Sequence, residues 1–459
     1  MAGETRPGPS AGQGVSSDLD RVRRVALRDK EVRFTALLHH VTVDRLREAY
    51  RAIRPDAAPG VDGVTWHEYG VDLEENLRDL HARAHRGGYR AKPSRRVFIP
   101  KADGRLRPLG VAALEDKVLQ RAMVEVLNAV YEQDFLGFSY GFRPGRSPHH
   151  ALDALTVGIT RRKVNWVLDA DIRDYFSSLD HSWLEKFLGH RIADKRVLRL
   201  IQRWLKAGVI EDGEWSQTLE GTPQGASVST LLANVYLHYV FDLWVHQWRS
   251  RHVRGDMVVV RFADDFVVGF EHRDDAERFW ADLRERFASF GLGLHEGKTR
   301  LIEFGRFAAQ HRARRGLPKP ETFDFLGFTH ICAKDRRERF KLSRVTSKKR
   351  LRAKLSAVKT EMRRRMHHSI PEQGRWLARV LRGHYNYYAV PHNGRALNGF
   401  HLRVKRHWLQ SLRRRRQRDH LTWERMKRLA DRWLPRPYIT HPWPNKRFDA
   451  RTQGRSPVR

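Results

Sequence analysis

Two apolar stretches that close on carboxylates set the narrowest limit on how this chain folds. DMVVVRFADDFVVGF (256–270) places apolar arms on both sides of Ala263-Asp264-Asp265, and VNWVLDADI (164–172) is a third apolar run that ends on Asp169 and Asp171. Short runs rich in Val and Phe are buried strands. The first stretch is therefore predicted as a hairpin with an acidic tip, and the second as a strand ending in carboxylates. Asp169 lies two residues before Asp171, so strand alternation predicts both on one face. A carboxylate flanked by Val, Leu and Phe is costly to bury unless a cation meets it. Two such sites on separate strands suggest a shared metal. Mg²⁺ takes oxygen ligands, keeps several waters, and needs only one or two carboxylates besides substrate phosphates. Polar residues that merely cap strand ends fit the same pattern, and composition alone does not separate the two readings.

The flanking segments supply further polar groups. RRVFIPKADGRLRPLGV (95–111) reads as a hairpin turning at Ala102-Asp103-Gly104, with Lys101, Arg105 and Arg107 around its tip. Such cations suit a triphosphate, or simply a solvated basic loop. After Glu115 and Asp116, the residues Leu119, Met123, Val126, Leu127 and Val130 recur at helical steps. EGTPQGASVSTLLANVYL (220–237) is a glycine loop opening an apolar helix. Glycines there let backbone approach a ligand closely, and Gln224 is placed to hydrogen-bond a sugar or base. A helix-capping turn is the plainer alternative. Residues 18–54, 181–207 and 275–291 read as helical, and 298–304 and 322–329 as short strands. Residues 1–17, rich in Gly, Pro and Ser, are expected to be disordered. From about 341 strand patterning stops and Lys and Arg dominate helical stretches such as 347–366, with Arg413 to Arg416 as an unbroken run. A boundary is placed near 340.

Charge narrows the partner. Lys and Arg total 88 against 53 Asp and Glu, a formal net charge of +35 with pI near 10.9. A chain this basic repels itself unless it meets a polyanion, and nucleic acid is the usual one. The bland alternative is a basic surface that only keeps the protein soluble. A single cysteine, Cys332, excludes a disulfide framework and a multi-cysteine zinc module, and fits a reducing interior. The 24 histidines, including the doublets His39–His40, His149–His150 and His367–His368, show no metal-ligand pattern. The first residues lack the apolar core of a signal peptide, and no stretch approaches the roughly 18 apolar residues of a membrane span.

These segments, in this order, resemble the reverse transcriptases of the group II intron class over about residues 35–459. AAPGVDGVTW is similar to the family's N-terminal block and RRVFIPKADGRLRPLGV to its fingers hairpin. SYGFRPGRS followed by an alanine-rich helix is specific to the class. WVLDADIRDYFSSLDH and RFADDFVVGF resemble the two catalytic palm blocks, and GTPQGASVSTLLANVYL the nucleotide-site block. GLGLHEGKTRLIEFG and FDFLGFTH resemble the last palm blocks. LRGHYNYYAV (381–390) is similar to the thumb or X region.

The resemblance implies an α+β right-hand polymerase. Its fingers and palm, a small antiparallel sheet backed by helices, would span 18–340. A basic helical thumb would follow over 341–435, and a basic tail over 436–459. It implies an RNA-directed DNA polymerase that also acts as a maturase, binding group II intron RNA, aiding its splicing and supporting its retrohoming. Asp171, Asp264 and Asp265 would hold two Mg²⁺ ions, with Mn²⁺ as a substitute, and the Ile172 carbonyl would complete one shell. Arg95, Lys101 and Arg107 would meet the incoming dNTP triphosphate, and Gln224 would lie against the nucleotide. Phe176 matches the aromatic that excludes a 2′-hydroxyl, although a core phenylalanine would look the same. Arg143, Tyr385, Tyr387, Tyr388, Arg413 and Arg414 are expected to contact the RNA template, the intron RNA or the DNA primer and target. For the tyrosines a helical thumb core is the competing reading. Phe262 stands where the family has tyrosine, Ala226 where it has a second glycine, and Thr230 where it has proline. The expected setting is a bacterial cytoplasm, in association with the nucleoid and without a membrane. A host-adopted free-standing reverse transcriptase and a splicing cofactor without polymerase activity are the alternatives. An RNA-copying RNA polymerase is disfavoured by Phe176 and by the lack of a Gly-Asp-Asp tip.

Overall fold

The computed structural model describes residues 16–100, 106–211, 214–216, 221, 226–415 and 421–452. The chain divides into two compact units. One comprises residues up to Arg146 with Ile172–Arg251 and Ala281–His295; the other comprises Ser147–Asp171, His252–Trp280 and the residues from Glu296 onward. The strands of the described residues are, in chain order, β1 (Ser94–Pro100), β2 (Leu106–Val111), β3 (Trp166–Asp171), β4 (Val209–Glu211), β5 (Glu214–Ser216), β6 (Met257–Phe262), β7 (Asp265–Phe270), β8 (Arg300–Glu303), β9 (Phe323–Phe325), β10 (Phe328–Lys334) and β11 (Phe340–Thr346). With the helices between them this is the expected α+β class.

In the first unit the apolar stripe of the Leu114–Asp134 helix is fully buried at Leu119, Met123, Val126, Leu127 and Val130. It packs against the Ser16–Arg28, Val43–Arg51 and Ser227–Leu237 helices, where Leu46 and Tyr50 point inward. Strands β2-β1-β4-β5 form a sheet whose β1–β2 hairpin pairs Arg95 with Val111 and Ile99 with Arg107. Its base is held by a buried acid. Asp116 accepts hydrogen bonds from the Tyr89 hydroxyl and from the Lys92 amide at 3.2 Å. Burial lifts this carboxyl to about 6, against the pull of those two donors. The predicted helix over 181–207 is two helices, His181–Gly189 and Lys195–Lys206. Asp194 caps the second through the Arg196 amide and also accepts the amides of Leu37 and Leu38.

The second unit contains the sheet β6-β7-β3-β8, antiparallel throughout, and the sheet β11-β10-β9. The Pro148–Arg161 helix lies on β6 with Gly158 at the contact; a Cβ there would come within 2.6 Å of Val258, so only glycine allows the approach. Strand patterning does not stop at 341. β11 continues to Thr346, with Leu342, Arg344 and Thr346 inward. Its alternation was hidden because one inward residue is an arginine, paired to buried Asp153 at 2.8 Å. Beyond it, the Lys348–Arg364, Ile370–Tyr388, Gly394–Arg415 and Trp423–Trp433 helices share a core of Leu355, Val358, Leu377, Leu381, Phe400 and Trp408. The expected disorder of the N-terminus falls outside the described residues apart from its last two positions, as do Arg416 and residues 453–459 of the tail. No helix among the described residues is long and apolar enough to cross a membrane.

Candidate active site

The acidic residues converge through strand register. Asp171 ends β3, Asp265 begins β7, and the two are directly paired across the strands. Phe262 pairs with Asp265 across the hairpin, so Ala263 and Asp264 alone make the turn. Ala263 takes a left-handed backbone, φ +57°. The Arg261 guanidinium, fully buried, donates to the Ala263 carbonyl at 3.0 Å. Asp169 shares the face of Asp171, as predicted, and stands opposite Arg300 of β8. Arg300 donates to the Thr322 carbonyl at 3.2 Å and reaches Asp169 at 3.5 Å. Lys298, two residues earlier, donates to Asp171.

Crowding sets the electrostatics of this cluster. Burial first, then the charges of Asp169, Asp171 and Asp264, hold the Asp265 carboxyl well above the usual carboxylate range, with Lys298 pulling the other way. Burial likewise lifts Asp169 to about 6, offset in part by Arg300. Carboxylates pressed together this way are stabilised by a cation. Among the described residues no group of three or more His, Cys, Asp or Glu is arranged to hold a metal ion. An open pair of carboxylates is nevertheless what Mg²⁺ takes when water and substrate phosphates fill its other positions, so the donor set fits that ion. Ile172 is buried and its backbone bridges to Leu294, the first pairing beyond the end of β3.

The residues expected on the nucleotide side belong to the first unit. Phe176 sits in the helical turn Tyr175–Ser177, half-buried, its ring edge-on to Tyr175 at 5.6 Å and to Phe142 at 6.5 Å. Gly221, where the glycine loop begins, donates its amide to the Leu179 carbonyl at 2.8 Å and has φ +84°. A Cβ on it would lie 2.7 Å from the Phe176 carbonyl. Gly221→Ala is therefore expected to displace the Phe176 backbone and to lower kcat/KM for nucleotide addition by about 10²-fold, the scale of a ~1 Å misplacement. Steady-state primer extension checks this, and wild-type kinetics would remove the loop from the nucleotide site. Arg95 is half-buried and donates to the Pro59 carbonyl at 2.8 Å. Lys101, Arg105 and Gln224 lie outside the described residues, and of Arg107 only the backbone, in β2, is described.

Two residues expected to contact nucleic acid are buried in this structure. Arg143 is 6% exposed; it donates to Glu132 at 3.0–3.2 Å, to the Leu136 carbonyl at 2.8 Å and to the Ser139 carbonyl at 2.9 Å. Its donors are used on Glu132 in the last turn of the Leu114–Asp134 helix and on the carbonyls of the turn that follows it. Tyr385 is 5% exposed within the helical core, its hydroxyl 2.9 Å from His401 Nδ1. Tyr387 donates its hydroxyl to the Leu326 carbonyl at 2.8 Å and stacks on Phe328. Tyr388 packs on Gly327, where a Cβ would lie 3.0 Å from the Tyr388 hydroxyl. Both brace a turn whose two residues have φ +48° and +83°. Arg413 and Arg414 are exposed, with Arg413 donating to the Leu421 carbonyl. Sequence reasoning passed over Lys298, Arg300 and Arg261. The available signal was a pair of cations, Lys298 and Arg300, at the start of a short strand.

Comparison with known proteins identifies the family. The family model described as "Reverse transcriptase (RNA-dependent DNA polymerase)" matches residues 99–330, about half of the chain. "Protein YkfC" of Escherichia coli K12 is 35% identical over 276 residues, covering 53% of this chain and 72% of that protein. "Group II intron-encoded protein LtrA" of Lactococcus lactis is 32% identical over 238 residues, 51% of this chain and 39% of LtrA. "Nuclear intron maturase 3, mitochondrial" of Arabidopsis thaliana is 31% identical over 125 residues, 27% of this chain and 17% of that protein. The match thus spans most of YkfC but well under half of LtrA and the maturase. The chain belongs to the reverse transcriptase (RNA-dependent DNA polymerase) family, among the group II intron-encoded proteins and intron maturases.

Proposed function

We propose that this chain extends a DNA primer along an RNA template at Asp171, Asp264 and Asp265, and that its basic helices grip a group II intron RNA, aid its splicing and support its retrohoming. The pairing of Asp171 with Asp265 across β3 and β7, one residue past the turn bearing Asp264, carries the reading. Two divalent ions held by these carboxylates, Mg²⁺ or in its place Mn²⁺, would supply activation of the primer 3′-hydroxyl and neutralisation of the leaving pyrophosphate. The chain's own residues do the rest. Lys298 balances Asp171 until a cation takes over that charge. Arg95, Lys101 and Arg107 of the β1–β2 hairpin bind the triphosphate as a cluster of charged donors, and Gln224 lies against the sugar or base. Phe176 closes the space where a 2′-hydroxyl would sit.

The polymerase part is read as 18–340, the thumb as 341–435, and the tail as 436–459. The thumb's exposed Arg413 and Arg414 contribute to a phosphate-binding surface whose affinity falls steeply with salt. The deciding experiment is primer extension by the purified chain on an RNA template with Mg²⁺ and dNTPs. Extension is expected. Intact RNA binding without extension at any Mg²⁺ concentration would leave only the splicing role. Phe176→Ala is expected to reduce discrimination against ribonucleotides by on the order of 10²-fold, read as the ratio of kcat/KM for dCTP and CTP. Unchanged sugar selectivity would remove Phe176 from that role.

A further inference from the structure

We infer that Arg261 is a positioning residue for the polymerase reaction, holding the turn that carries Asp264 and Asp265 in the shape that makes them a divalent-cation site. The inference rests on the reading of those aspartates given above. Two-residue hairpin turns need left-handed backbone and are normally supplied with Gly or Asn. Here the left-handed residue is Ala263, φ +57°, at a cost of roughly 1–2 kcal/mol for an L-residue. Such a conformation persists only where the surroundings over-determine it.

Arg261 is the group that does so. It is 0% exposed, one of the largest fully buried side chains in the protein, and it lies on β6 among Val258, Val259 and Val260. A guanidinium buried there needs acceptors for its N–H groups. One of its acceptors is the carbonyl of Ala263, two residues on and the very residue with positive φ. That carbonyl belongs to the peptide linking Ala263 to Asp264. Fixing it fixes the direction in which Asp264 leaves the backbone, and it fixes the start of β7, where Asp265 pairs with Asp171. Arg261 acts through this peptide rather than through its field. The charges that dominate at Asp265 are Asp169, Asp171 and Asp264, and the cation among them is Lys298. Loss of the bond leaves the Ala263–Asp264 peptide able to flip, which turns Asp264 away while the strands remain paired.

The test compares Arg261→Lys and Arg261→Gln with the wild-type full chain in primer extension across a Mg²⁺ titration, with RNA affinity and Tm measured in parallel. Outer partners of metal ligands are worth about 10–100-fold in metal affinity, so R261K is expected to raise the half-activating Mg²⁺ concentration by about 10-fold. Saturating Mg²⁺ is expected to restore most of kcat, with RNA affinity unchanged. Ala263→Gly, which takes φ > 0 without strain, is expected to recover part of the loss when added to R261K. A packing role would lower Tm and activity equally at every Mg²⁺ concentration, without rescue by glycine, and that result overturns the inference, as does wild-type Mg²⁺ dependence in R261K. Should both Arg261 variants fail to fold, Ala263→Val keeps the arginine and burdens the same turn with a β-branched residue. It must then show the Mg²⁺ shift by itself, and a normal titration overturns the inference. If the wild-type chain extends no primer at all, the polymerase reading fails separately. Arg261 is then judged by Mn²⁺ binding followed by electron paramagnetic resonance, where R261K must bind more weakly than wild type for the inference to stand.

Discussion

Asp264→Ala is expected to lower primer extension by about 10³-fold or more, several kcal/mol of transition-state stabilisation, while RNA affinity stays unchanged. The separation of the two readouts follows from where the charge sits. Affinity for RNA comes from phosphate contacts made by Lys and Arg, and the chain carries 88 of these. Asp264 contributes nothing to it. Stability provides a third readout with an unusual sign. Asp264 is one of three like charges that hold Asp265 above its ordinary range. Removing it relieves repulsion in the folded state, so Tm should stay level or rise. Loss of activity with a raised or unchanged Tm is the pattern of a functional carboxylate. Loss of activity with a large fall in Tm would make Asp264 a structural turn residue, and near-normal polymerisation would end the metal assignment.

That cluster was legible in the sequence because every step to it is local. The apolar runs around 166–171 and 257–270 define strands, and a run interrupted by Ala-Asp-Asp defines a turn. Alternation then puts Asp169 and Asp171 on one face. Only the register, Asp171 against Asp265, had to come from the structure. The cations around the cluster were not legible in the same way. Arg261 looks like a polar interruption within a strand until its guanidinium is seen bonded to the Ala263 carbonyl two residues later. Lys298 and Arg300 precede β8 by two residues and open it, and their partners lie 127 and 131 residues away in the chain. No window of sequence contains both members of such a pair.

The burial of Arg143 and Tyr385 was not legible for a related reason. Arg143 in FRPGR and Tyr385 in HYNYY have the composition of a nucleic-acid surface, an arginine in a glycine loop and a tyrosine among basic residues. Exposure depends on what packs around them. Arg143 faces Glu132 and two carbonyls, and Tyr385 is one face of an amphipathic helix whose core includes Leu381 and Trp408. The hydroxyl of Tyr387 is likewise spent on the Leu326 turn. Surface arginines such as Arg414 carry the nucleic-acid reading better than the aromatics do.

A buried long-range ion pair in the second unit supports the other large prediction: Asp153→Ala should destabilise the folded chain by about 3–5 kcal/mol, the cost of stripping a partner from a buried ion pair. Asp153 is 1% exposed and Arg344 2% exposed, and Arg344 Nη1 donates to Asp153 Oδ1 at 2.8 Å. The second oxygen of the same carboxylate accepts from Arg447, on the Pro444–Thr452 helix near the end of the chain. One acid thus pairs with two guanidiniums from elements nearly 200 and nearly 300 residues distant, and burial already pulls Arg344 below its ordinary range. Without Asp153 both cations remain where water cannot reach them freely. Arg447→Met is expected to cost less, since Asp153 keeps Arg344. Replacing Asp153, Arg344 and Arg447 together with Leu, Met and Met is expected to recover much of the loss, because a well-packed apolar trio carries no desolvation penalty. Urea unfolding measures all three, with an unchanged m-value marking a change in stability alone. If Asp153→Ala falls within about 1 kcal/mol of wild type, the range of an exposed ion pair, the C-terminal helix is not anchored through this carboxylate and the packing of Phe448 holds it instead.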